Sequence, residues 1–341
     1  MIIRARPMAT SMNESVNGTA PGAGSPHRPP RLILPSDDPA APAARDAVRM
    51  AAEALGAYQD AALEGDPEAV HQMRIATRRL RVTLELFAEA LRGAWVNVAR
   101  CELKWLGGVI GALRDCDVID QLIVGQSVKL ASGMAASIEP IHQALSVRRR
   151  ELQDSMREAL TSARYESLLA RVAAAPARSI APAATVRAMA PDLLAPIAHR
   201  VARAGAKLKP DLDNRAFHKL RIRIKRLRYS LEMLAEAGGN VKDAAKRLRK
   251  MQNLLGEQHD AVMAMQWLRE FAAAPASPPA ALVACGALMQ SLDRRSHKLA
   301  SRCLKRWKKL DRSGIIHDAL KEIAHGANRP ARHEMHTVDA A

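Results

Sequence analysis

Aromatic residues make up only 3% of this 341-residue chain, and that scarcity narrows the functional field. Proteins that hold single-stranded nucleic acid stack bases on aromatic platforms. Four Trp, three Tyr and three Phe supply few of them. Paired cysteines are missing too: Cys101, Cys116, Cys285 and Cys303 form no C-x-x-C pair. Such spacing in a chain of this length points to free thiols in a reducing compartment, not to a disulfide framework. No apolar run reaches the roughly 18 residues that would span a bilayer. Arg4 and Arg6 stand near the start, but no apolar segment of secretory length follows them. A cytoplasmic protein without a membrane span is expected. No stretch alternates as a β-strand does, so an all-α fold is expected.

Acidic residues are in deficit. Against 52 Lys and Arg stand 35 Asp and Glu, a formal net charge of +17 with a pI near 10.3. The balance predicts attraction to a polyanion: nucleic acid, an anionic membrane surface or a phosphate polymer. It does not choose among them.

What the chain does have, it has twice. Residues 71–85 read HQMRIATRRLRVTLE and residues 218–232 read HKLRIRIKRLRYSLE. At a constant offset of 147, His71 matches His218, Arg74 matches Arg221 and Arg78 matches Lys225. Arg81 matches Arg228, and Glu85 matches Glu232. A repeat of this length marks a duplicated structural unit. At about 100° per residue, these positions fall on one narrow helical stripe. Met73, Ala76, Leu80, Leu84 and Phe87 lie behind the first stripe, and Leu220, Leu227, Leu231 and Leu234 behind the second. Each segment therefore reads as an amphipathic helix with an oily back and a cationic front. A charge run commonly makes a solvated face. Here the stripe is almost pure cation for three turns, without the i,i+4 acids there that favour exposure, and its Arg forks match phosphate oxygens. An anion site fits it better.

The repeat extends further. IGALRDCDV (110–118) aligns with LGEQHDAVM (255–263), pairing Gly111 with Gly256 and Asp115 with Asp260. Lys104 and Arg249 each precede the glycine by seven residues. The two Asp fit a structural role, capping a helix or bridging an arginine of the facing helix. Gly107, Gly108 and Gly111 each cost a helix roughly 1 kcal/mol against Ala, and close approach of a neighbouring helix is their expected use. Arg150, Arg157, Arg164 and Arg171 recur every seven residues, which suits a cationic row or, with Glu151 and Glu158 beside them, a solvated face.

Composition divides the chain into a Pro-, Gly- and Ser-rich tail (1–44), a first helical half (45–172), an Ala/Pro linker (173–191), a second half (192–311), and a short helix with a tail (312–341). Asp66-Pro67 is expected to cap the first stripe helix. Four helices, a linker and four helices are expected, the fourth starting near Pro140 and the fifth near residue 192.

HxxRxxxRRLR at 71–81, RDCDV at 114–118 and the looser second copy resemble the CHAD family (conserved histidine α-helical domain), over about residues 46–311. The resemblance implies two antiparallel four-helix bundles related by an internal pseudo-twofold duplication, and binding of inorganic polyphosphate in a basic groove. It implies phosphate contacts at His71, Arg74, Arg78 and Arg81, and at His218, Arg221, Lys225 and Arg228. Arg79, Lys104, Arg226, Arg249, Arg150, Arg157, Lys298, Arg302 and Lys305 are further candidates. Some relatives carry a triphosphatase domain marked by an ExExK strand. None is found here, so a stand-alone CHAD protein is expected.

The functional expectation is non-catalytic polyphosphate binding with association to polyphosphate granules, where granule proteins are possible partners. Two rivals stand beside it. A duplex-backbone nucleic-acid binder is permitted by charge; in the favoured reading nucleic acid is only a weak competitor. A phosphate-polymer-processing enzyme or its regulator would need clustered carboxylates and a metal. Glu85, Glu232, Asp115 and Asp260 lie far apart in sequence, no P-loop or phosphatase motif is present, and His333-x-x-His336 in the tail is a weak metal signal. No cofactor and no metal are expected. The two stripe histidines are expected to gain a proton beside phosphate, so that binding tightens from pH 8 to pH 6.

Overall fold

The computed structural model describes residues 32–91, 93–128, 134–174, 184–209, 214–234, 236 and 238–327. Much of the expected N-terminal tail and the last fourteen residues, with His333 and His336, lie outside them. Among the described residues the chain is helical, with no named strand. Twelve helices follow one another: α1 Ala40–Ala57, α2 Gln59–Glu64, α3 Pro67–Leu86, α4 Ala88–Leu91, α5 Ala94–Ser127, α6 Ala135–Leu160, α7 Ala163–Ala173, α8 Val186–Gly205, α9 Asn214–Met233, α10 Gly239–Ala273, α11 Pro279–Arg312 and α12 Ile315–Ala327.

The repeat is visible in these bounds. α3 and α9 are both 20 residues long and start and end at the 147-residue offset of the stripes. α5 and α10 run 34 and 35 residues. The Asp66 side chain accepts from the backbone N–H of Glu68 (3.0 Å) and Ala69 (3.2 Å), with Pro67 opening the helix. This cap is the expected one, and it satisfies two of the four free donors at the start of α3.

Several boundaries differ from expectation. Residues 32–44 are not all tail. Leu32 and Leu34 are buried, the Leu34 N–H donates to the Met233 carbonyl at 2.8 Å, and α1 begins at Ala40. The Pro39 and Thr185 backbones form a bridge, and Arg187 pairs with Asp37 at 2.8 Å. Two leucines and one ion pair were too little pattern to signal this strap. α6 begins before Pro140, and α8 begins at Val186 with Pro191 and Pro196 inside it. A proline removes only one backbone bond. Burial of Ile141 and Leu145, and of Ala190, Leu194 and Ile197, holds the flanking turns.

The expected division into one bundle per half is not what the core shows. One buried cluster draws Leu55, Met73, Leu80 and Leu106 together with Leu194, Leu227, Leu231, Leu248 and Trp307, from both sides of the linker. A second joins Ile119 and Ile123 of α5, Ile141 and Leu145 of α6, Ala264 and Leu268 of α10, and Leu288 and Leu292 of α11. α5 and α10 are each about 50 Å long at 1.5 Å per residue, long enough to run through both clusters. Apolar periodicity shows which face of a helix is buried. It does not show which helix covers it.

Candidate functional site

The stripe helices pack with their oily backs in the core: Met73, Leu80, Leu84, Leu220 and Leu227 are fully buried. α3 and α9 touch each other, through the later part of each stripe. Arg78 Nη1 donates to the Tyr229 hydroxyl at 3.3 Å, the Thr83 hydroxyl donates to Met233 Sδ at 3.8 Å, and Arg226 pairs with Glu85 at 3.4 Å. Ahead of these contacts the earlier turns of both stripes open onto one cavity of about 410 Å³. His71, Arg74, Arg78, Arg221 and Lys225 line it, joined by Arg114 and Asp115 from α5 and by Gln252, Gly256, Glu257 and Asp260 from α10.

Five of the eight principal candidates thus converge. Arg81, His218 and Arg228 do not line the cavity. His218 is exposed and its ring lies 4.9 Å from that of His259. Arg228 is 7% exposed and is held by Gln252 at 2.9 Å and by Glu232 at 2.5 Å, while its guanidinium sits 4.1 Å from the Tyr229 ring centre. Glu232 also takes Arg249 at 2.6 Å. Among the further candidates, Arg226 is paired to Glu85, and Arg79 lines a small pocket with Leu32, Tyr229, Glu232 and Met233. Arg157 donates to the Leu63 carbonyl at 2.9 Å and to Asp154 at 3.2 Å. Lys104, Arg150, Lys298, Arg302 and Lys305 are exposed, and none of them lines the cavity. Arg114 was missed because its counterpart in the second copy is His259, which breaks the match that singled out the other cations.

The electrostatics of the cavity are those of cations held partly out of water. Burial lowers Arg74 and Arg221 from the ordinary arginine value, opposed by Asp115 at Arg74 and by Asp260 at Arg221. Arg74 is anchored: its Nη1 donates to the Gly111 carbonyl at 2.7 Å and to Asp115 Oδ1 at 2.9 Å. A Cβ on Gly111 would come within 3.4 Å of that guanidinium, which accounts for the glycine. Arg221 is not anchored this way, and its Nε is buried with no hydrogen-bond partner. Burial, with Arg78, Arg221 and Arg74 around it, brings Lys225 down to about 6. Asp260 is pushed up by burial and by Asp115, against the pull of Arg221.

The histidines share this environment. His71 is lowered by burial and by Arg114, and His218 by burial, Arg221 and Lys225. His259 falls to about 3 for the same reasons. Their neighbours are cations, so in the free protein each imidazole, like Lys225, is held below its ordinary value. The aspartates, distant in sequence, meet across α5 and α10. Asp115 bridges an arginine of a neighbouring helix, the bland role read for it from sequence. Among the described residues no three His, Cys, Asp or Glu gather in a way that could hold a metal ion, and no helix is long and apolar enough to cross a membrane.

Comparison with known proteins agrees with this architecture. The CHAD domain family model matches residues 46–269. The chain is similar to the crystal structure of the CHAD domain from the plant Ricinus communis: 25% identity, TM-score 0.68, covering 88% of this chain and 97% of that one. PptA from Streptomyces chartreusis shares the fold at 21% identity and TM-score 0.66, with 80% of this chain and all of that one covered. Two uncharacterized proteins of Mycobacterium tuberculosis are 30% identical over 260 residues, 72% of this chain and 48% of theirs. The chain spans about half the length of these curated relatives. With its doubled His/Arg stripe and all-helical fold, the chain belongs to the CHAD domain family, a family associated with polyphosphate binding.

Proposed function

We propose that this protein binds inorganic polyphosphate, without processing it, in the cavity between α3, α5, α9 and α10. The observation that carries the reading is the convergence of Arg74, Arg78, Arg114, Arg221 and Lys225 on one concavity from two sequence-distant copies of a stripe. Arg221 has an unpartnered buried donor there, and Lys225 sits among guanidiniums. An anion that replaces lost hydration with charge-assisted bonds relieves both. A linear polymer with about one charge per phosphate suits such a slot and releases counterions on entry. Duplex DNA carries its phosphates on a wide, rigid cylinder that reaches half-buried guanidiniums poorly, so it competes weakly. The carboxylates also favour holding over chemistry, because Asp115 is already engaged by Arg74. The contact set is His71, Arg74, Arg78, Arg114, Arg221 and Lys225. Arg81, Arg228, His218 and the outer cations lie beyond it. Attachment to polyphosphate granules follows from grip on the polymer.

The test is titration with long-chain polyphosphate and with duplex DNA of equal charge, at two salt concentrations. R221E/K225E alters the cavity, and R302E/K305E on exposed α11 is the control. Tight, polyphosphate-selective binding that is lost in the cavity variant and kept in the control is expected. Equal binding to both polymers, unchanged by R221E/K225E, overturns the reading.

A further inference from the structure

We infer that the site takes, besides the inorganic polymer, a phosphate chain that carries a nucleoside at one end, seated in a second cavity beside the cationic one. This rests on the polyphosphate reading and specifies the ligand class. The second cavity measures about 450 Å³, within the roughly 300–1,000 Å³ class that buries organic ligands. It lies across the Arg74–Asp115 pair, for both residues line both cavities. It has fewer cations: Arg74 and Arg148, beside the carboxylates of Asp115 and Glu270. Ile119, Leu145, Met263 and Trp267 supply apolar surface, and Arg148 and Gln266 supply polar groups.

The glycines of α5 support the same conclusion. Close packing accounts for Gly111, which lies against Arg74. It does not account for Gly108, where a Cβ would meet nothing within 4 Å. Nor does it account for Gly107, where a Cβ would meet only the Thr77 methyl at 3.6 Å, an ordinary contact. Gly108 is thus a helix-weakening residue spent on open space, and it lines the cavity beside Gly107. The lining also includes Trp267, one of four Trp in an aromatic-poor chain, with Phe271 stacked on it at 5.5 Å between ring centres.

A phosphate chain gains nothing from Met263 and Trp267, since desolvating an anion against apolar surface is costly. A sugar-alcohol phosphate has no apolar face to offer. A nucleobase has one, together with polar edges, and gains from burial and aromatic contact. Phosphates gripped by Arg221, Lys225 and Arg78 would end at Arg74, where the second cavity begins.

Adenosine 5′-tetraphosphate and inorganic tetraphosphate separate the possibilities, titrated calorimetrically into the full chain and into Gly108→Phe and Gly108→Leu. The inorganic ligand has the higher charge, so charge alone favours it. The expected result is about tenfold tighter binding of the adenosine form to the wild-type chain, about 1.4 kcal/mol. That preference should be lost in Gly108→Phe and reduced in Gly108→Leu, with inorganic tetraphosphate binding retained in both as the report of an intact fold. Equal or weaker binding of the adenosine form by the wild-type chain overturns the inference, and so does a preference that survives Gly108→Phe. If neither ligand binds, the polyphosphate reading falls with it.

Discussion

Arg74 and Arg221 occupy the same position in two copies of one stripe, yet their surroundings differ. Arg74 is closed onto the Gly111 carbonyl and Asp115. The equivalent partners of Arg221 are Gly256 and Asp260, and no comparable bond forms. A Cβ on Gly256 would meet nothing within 4 Å, and Arg221 Nε stays buried without a partner. The difference continues next door, where Arg114 pairs with Asp117 at 4.0 Å while its counterpart His259 sits against His218. Duplication supplied two equal cationic helices. Divergence has tied Arg74 down and left Arg221 with a donor to offer a ligand. Buried polar groups without partners cost stability, and such costs concentrate at functional sites.

The largest effect expected from breaking this comparison is at Arg74. Arg74→Ala leaves the Asp115 carboxylate and the Gly111 carbonyl without their donor. A loss of about 2 kcal/mol in denaturant unfolding is expected, together with weaker polyphosphate binding. If the variant is as stable as the wild-type chain, the anchored half is not anchored.

Lys225→Met moves stability and binding in opposite directions. Folding draws Lys225 from the ordinary lysine range down to about 6. Between those values the folded state disfavours the proton that the unfolded state holds, so the destabilisation grows as pH falls from 10 towards 6 and is fully present below that. The methionine variant should therefore be more stable than the wild-type chain by about 1 kcal/mol at pH 7. Its advantage should shrink towards pH 10, and its affinity for polyphosphate should fall about tenfold, or about 1.4 kcal/mol. Loss of stability in the variant would show that Lys225 is a packing residue.

A smaller effect sharpens the comparison through pH. In the free protein Lys225 is mostly neutral above pH 6. Phosphate favours its charged form, so binding takes up a proton and tightens as pH falls from 8 to 6. Below 6 the curve should flatten, because the free protein is already protonated. Lys225→Arg should remove the dependence, while His71→Gln and His218→Gln should keep it, since both imidazoles are held below their ordinary value. Dependence lost in the histidine variants would return the switch to the histidines.

Much of this was legible because it is local. The 3.6-residue period placed Met73, Leu80, Leu220 and Leu227 in the core, and Asp66-Pro67 marked the start of α3, since a helix face and a cap need only near neighbours in sequence. The stripe was legible as far as Arg78 and Lys225. Beyond them α3 and α9 run against each other, and Arg228, read as a phosphate contact, is instead enclosed by Gln252, Glu232 and Tyr229. No sequence period reports where two helices meet. The lowered pKa of His71 and His218 in the free protein was not legible for the same reason: a pKa is set by neighbours in space, and these neighbours are cations. The glycines of α5 were visible, but that Gly108 faces a cavity and not a helix was not.

The paired measurement that bears most directly on this account is Arg221→Ala, followed by polyphosphate titration and by denaturant unfolding alongside Arg74→Ala. The account predicts an affinity loss of at least about tenfold with an unfolding midpoint unchanged or raised, in contrast to the destabilised Arg74→Ala. Unchanged affinity, or a stability loss matching that of Arg74→Ala, would contradict the claim that Arg221 is the unanchored arginine of the pair, kept for the ligand and not for the fold.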